Sequence, residues 1–167
     1  MKKITMAVMI AILAAAPALA NPSPAEKTFD QIKALAGTWE GKTAEGDAIK
    51  VLFRVTSNGS AVMSEILVNG KKKNEDMITM FNMDGDRLLM THYCAAGNQP
   101  RMVADASPDG KLITFRFLDG TNLGGPNAGH MHHVVFRMPD ADHHTEQWTF
   151  MQGNQTINES FDLQRIN

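Results

Sequence analysis

Cysteine is almost absent from this chain of 167 residues: Cys94 stands alone, so no internal disulfide can form. The fold must therefore hold by packing and hydrogen bonding, even in an oxidising compartment. Basic charge is not in excess either. Sixteen Lys and Arg face 18 Asp and Glu, a formal charge of −2, with no basic stripe along the chain. That balance argues against nucleic acid or an anionic membrane surface as the main partner. There is no Gly-x-Ser-x-Gly elbow, no phosphate-binding glycine loop and no His-Glu-x-x-His helix. The familiar hydrolase, nucleotide and zinc-protease signatures are thus missing, and no catalytic residue is assigned.

Long apolar runs are also scarce. The one that exists, Ile4 to Ala16, follows the positive start Met1-Lys2-Lys3 and precedes Ala18-Leu19-Ala20. This order reads as a secretory signal peptide over residues 1–20 with an Ala-x-Ala cleavage site. The run falls short of the roughly 20 apolar residues of a spanning helix. The expectation is a periplasmic or secreted protein that starts at Asn21 and has no stable membrane anchor. Losing Lys2 and Lys3 with the leader would bring the charge to −4.

What the chain has in quantity is strand punctuation. A leader and amphipathic helix occupy residues 21–36, with Phe29, Ile32, Leu35 and Ala36 on one helical face and Gly37 as the stop. From residue 37 to 167, alternating segments are separated by Asn69-Gly70, Asp84-Gly85 and similar turns that favour tight hairpins. Strands are expected over 48–56, 60–68, 76–83, 87–94, 101–106, 111–118, 130–138, 144–151 and 156–165, after a first strand opening at Thr38. Short connections between consecutive strands require antiparallel neighbours. The expected fold class is all-β: a closed antiparallel up-and-down β-barrel of about ten strands with one short N-terminal helix. Two longer connections, Ala95 to Pro100 and Asp119 to Gly129, are rim loops able to carry binding residues.

Strand period two assigns faces. Ile49, Val51, Phe53 and Val55 form one inward set; Ile113, Phe115 and Phe117 form another. Leu88, Met90, His92 and Cys94 share a face. Val134, Phe136 and Met138 carry His130 and His132 with them. Trp148 and Phe150 carry Glu146 and His144, and Phe161 and Leu163 carry Glu159 and Arg165. His143 and His144 also adjoin the turn at Pro139 to Asp142, which makes exposure their expected state.

Inward polar groups are costly unless paired or bound to something. His92, Cys94, His130, His132, Glu146 and Glu159 are therefore the candidate ligand-binding residues of a polar pole inside an apolar barrel. Such a pole suits one small hydrophobic or amphiphilic molecule. It also suits a hydrogen-bonded network with no ligand. An acid–base site using His92 with Glu146 or Glu159 would make the barrel an isomerase or hydrolase. His92, His130 and His132 together form a possible metal site, with Cys94 or a carboxylate completing it. Cofactor identity and oligomeric state are not readable.

Gly37-Thr38-Trp39 with Arg165 resembles the calycins: lipocalins, fatty-acid-binding proteins and nitrobindin-like haem barrels. The resemblance implies a Trp39–Arg165 cation–π pair closing one barrel end, a structural role. The two-helix lid of fatty-acid-binding proteins has no room in Ala44 to Asp47, so their Arg and Tyr ligand set does not carry over. Gly37, Trp39 and Gly41 fit the nitrobindin-like opening. That group takes its axial histidine late in the barrel, where Thr156 to Asn167 has none, so haem would need His130, His132 or His144. The segment Thr91 to Met102 is similar to one in exported bacterial proteins without an assigned function.

Overall fold

The computed structural model describes residues 21–68 and 77–166. The leader, the Asn69-Gly70 turn and Lys71 to Asp76 lie outside the described residues. After Ser23 the chain enters helix α1, Pro24–Ala34, through a complete capping box: the Ser23 hydroxyl accepts from the Glu26 N–H, and the Glu26 carboxylate accepts from the Ser23 N–H. Pro24 occupies the first turn, where its missing N–H costs nothing. Phe29, Ile32 and Leu35 are buried on one face, as their spacing predicts.

Ten strands follow: β1 (Gly37–Lys42), β2 (Ala48–Thr56), β3 (Ala61–Val68), β4 (Met77–Asp84) and β5 (Arg87–Tyr93), then β6 (Gln99–Ala106), β7 (Leu112–Thr121), β8 (His130–Arg137), β9 (His143–Gln152) and β10 (Gln155–Arg165). Each pairs antiparallel with its sequence neighbours, and β10 returns to β1 to close the barrel. The expected all-β up-and-down barrel is the observed one. The boundaries differ mainly at the second long loop, because β7 runs on to Thr121 and shortens it.

Closure depends on one small residue. Gly41 sits between Ile49 and Leu163, and a Cβ there would lie 1.9 Å from the Asp162 carbonyl oxygen. Only glycine lets β1 approach β10 at this register.

The alternating hairpins place the α1–β1 junction at one end of the barrel and the β1–β2 turn at the other. The apolar face of α1 covers the first end, packing toward β2, β4, β5 and β6. Behind it, Phe53, Phe81, Phe115 and Phe136 form a ring of aromatics with centroids 5.6–6.5 Å apart. Trp39 is fully buried; its indole N–H donates to the Leu35 carbonyl at 2.8 Å, and Arg165 lies over its ring at 4.2 Å. The Arg165 guanidinium also donates to the carbonyls of Ala34, Ala36 and Ala141. One side chain thus satisfies orphan carbonyls at the helix C-terminus and ties the helix to the closing seam.

Candidate functional site

The second end is not packed. A cavity of about 370 Å³ opens there, with Ile66, Val68, Met77, Met131, Trp148 and Phe161 as its apolar wall. Thr43, Glu45, Asp47 and Glu159 bring polarity toward its mouth, and His92 lines it from β5. A larger depression of about 560 Å³ lies over the β1–β10 seam. Most of its lining, including Glu40, Lys42, Asp162 and Gln164, is exposed. The smaller cavity is the candidate site.

His92 is fully buried. Its Nδ1 shares a 2.9 Å hydrogen bond with Thr79 Oγ1, its register partner on β4. Its ring stands 4.9 Å from the Trp148 ring. Nε2 has no hydrogen-bond partner among the described residues. If the Thr79 hydroxyl donates to Nδ1, Nε2 carries the proton; if Nδ1 carries it, Nε2 offers a lone pair. Either tautomer presents one hydrogen-bonding function. Burial pushes the imidazole down from 6.5 to about 4, so it is uncharged at neutral pH.

Trp148 is fixed from behind. Its Nε1–H donates to Glu146 Oε2 at 2.9 Å, and His144 Nε2–H donates to Glu146 Oε1 at 3.1 Å. Alternation places His144, Glu146 and Trp148 on the inner face of β9, and all three are buried. The expectation of an exposed His144 is corrected here. Strand β9 begins at His143, so only His143 meets solvent, paired with Asp140, while His144 turns inward against Trp39, Phe53 and Phe136. Glu146 serves Trp148 and His144 and does not line the cavity.

His130 and His132 do not line this cavity. The β8–β9 register shifts between Met131 and His133, which inserts one residue and breaks the simple alternation. Met131 lines the cavity as a result. The two histidines instead pack on Phe117, with ring centroids at 4.5 and 5.4 Å. His130 Nδ1–H donates to the Ala128 carbonyl at 2.8 Å, so in the neutral ring Nε2 accepts from His132 Nδ1 at 3.3 Å. Desolvation, then the neighbouring His130 and His133, hold His132 below the ordinary histidine value. The triad of His92, His130 and His132 is therefore not assembled, and among the described residues no three His, Cys, Asp or Glu side chains are grouped to hold a metal ion.

Cys94 lies just beyond β5, half-buried; its N–H donates to Asn98 O and its carbonyl accepts from Gly97. Burial raises its thiol, against a smaller opposing effect from the Ala96 backbone. It does not line the cavity. Glu159 does, on the same face as Phe161. Sequence reasoning missed Thr79 and Met131. Thr79 shares parity with buried Phe81, a signal that was available; Met131 needed the bulge, which period two does not show.

No family model matches the chain, and no curated protein matches it. Among solved structures, the chain is similar to a protein of unknown function from the DUF3598 family of Nostoc punctiforme. The TM-score is 0.54 at 10% sequence identity, over 81% of this chain and 49% of the other. The chain thus spans about half the length of that neighbour. The likeness concerns the fold.

Proposed function

We propose that this protein is an exported calycin-like barrel that holds one small, mainly apolar molecule, with its polar end on His92. One observation carries the reading: His92, whose buried Nε2 has no partner among the described residues, lines a largely apolar cavity at the barrel end away from α1. An unpaired buried polar atom costs about 1–3 kcal/mol, which a ligand group bonded to Nε2 would recover. The cavity volume falls in the range that encloses small organic molecules. Export is supported by the leader sequence Met1 to Ala20.

A second reading has a specific observation behind it. His92 and Glu159 line the same cavity, which is the layout an acid–base isomerase needs. The lowered imidazole makes His92 a weak base, which favours binding over turnover.

Titration with N-phenyl-1-naphthylamine, a neutral apolar fluorophore, tests the reading. Saturable one-to-one binding is expected, with quenching between probe and Trp148. Failure to saturate, together with native mass spectrometry of periplasmic protein showing the bare chain mass, would refute the binding reading. The same spectrum checks export, since the mature chain is expected to begin at Asn21 and retained Met1 would contradict it.

A further inference from the structure

The two ends of the cavity differ in charge, and that difference speaks to the chemistry of the guest. Deep in its wall stands the fully buried His92, beside the Trp148 ring and with Nε2 unpartnered among the described residues. Its mouth carries Glu45 and Asp47 from the β1–β2 turn, both exposed, and the half-buried Glu159 of β10. No Lys or Arg lines the cavity among the described residues. We infer that the site selects a guest with an uncharged hydrogen-bonding head (an alcohol, phenol, ketone or amide) and discriminates against a carboxylate. The inference rests on the binding reading above and names the guest's class.

Both orientations of a carboxylate guest are unfavourable. Head-in, the anion sheds its water against apolar walls and meets an imidazole with no charge to offset the loss. The low position of His92, about 4, removes the imidazolium that would otherwise pair with it. Head-out, the anion lies beside Glu45 and Asp47 and is repelled. A neutral hydroxyl escapes both problems. It donates to the Nε2 lone pair or accepts from Nε2–H, so either tautomer of His92 is served. The apolar body then lies along Trp148 and Met131, where aromatic face and polarizable thioether both favour a flat hydrocarbon.

Three ligands of one shape test this: 2-naphthol, 2-naphthoate and naphthalene, each displacing N-phenyl-1-naphthylamine at pH 7. In the wild type, 2-naphthol is expected to bind at least about tenfold tighter than 2-naphthoate, the ratio that one charge-free hydrogen bond supports. It should also bind tighter than naphthalene, and His92→Phe should erase that second preference while naphthalene affinity holds. His92→Gln keeps a hydrogen-bonding head and should restore part of it. If 2-naphthoate binds as tightly as 2-naphthol or more so, the neutral-head inference falls while the binding reading stands. If no naphthalene compound competes and the fluorophore itself does not saturate, the binding reading falls and takes the inference with it. The wild-type comparison decides the matter even if His92→Phe does not fold.

Discussion

His92 and His144 invite direct comparison. Both are fully buried, both use one ring nitrogen in a hydrogen bond, and both leave the other without a partner among the described residues. Their surroundings differ. His144 sits at the plugged end, edge-on to Trp39 at 4.2 Å and stacked near Phe136 at 6.3 Å. His92 sits at the other end and opens onto the cavity. An unpaired atom enclosed by aromatic rings has nowhere to receive a guest, and there it is a local cost within a packed plug. A like atom in the wall of a cavity is where the proposed guest would bond. An orphan nitrogen therefore acquires functional meaning only through the space beside it.

The largest expected effect would break the plugged half of that comparison. Trp39→Ala removes the indole that spans the helix junction, Arg165 and His144. Truncating a fully buried aromatic of this size should cost roughly 3–5 kcal/mol. Denaturant titration measures it, and an unchanged midpoint would show that this end is not a structural plug.

A somewhat smaller effect isolates His92. In the fold its imidazole lies near 4, and in the unfolded chain near 6.5. Between those values the unfolded chain binds the additional proton, so lowering the pH favours unfolding. Stability is full above about pH 6.5, declines as pH falls, and has lost its whole His92 contribution below about pH 4, a total of ~3 kcal/mol. Comparing wild type with His92→Gln from pH 7 to pH 4 removes the background of other groups. The wild type should lose its relative advantage on acidification; parallel curves would mean that His92 is not held neutral by burial.

Period-two reading placed His92, Glu146, Trp148 and Phe161 inward, as the structure has them, because their strands run unbroken through those positions. The Trp39–Arg165 contact was visible from the resemblance of the first and last strands to calycins. His130 and His132 escaped because a bulge is a register event between strands, and one strand's alternation carries no record of its partner. For His144 the alternation pointed inward and only the adjoining turn suggested exposure: a strand that starts one residue earlier turns an exposed end into a buried one. The cavity itself was not legible, since whether a barrel interior fills or stays open depends on summed side-chain volumes around the ring.

The smallest expected effect sharpens the separation of the two ends. Arg165→Lys keeps the charge but loses the planar fork that reaches the carbonyls of Ala34, Ala36 and Ala141 while lying on Trp39. A lysine ammonium is a point donor and cannot serve all three carbonyls from one position. The partial exposure of Arg165 lets water replace some of what is lost, which holds the cost to about 1–2 kcal/mol. That loss should appear at the helix: hydrogen exchange at the amides of α1 should quicken. At the cavity, affinity for N-phenyl-1-naphthylamine should stay within about twofold, because none of the wall residues touches Arg165 through these bonds. Binding that weakened in step with the loss of stability would mean that the plug and the cavity form one cooperative unit, and the contrast between the two ends would then be one of chemistry alone.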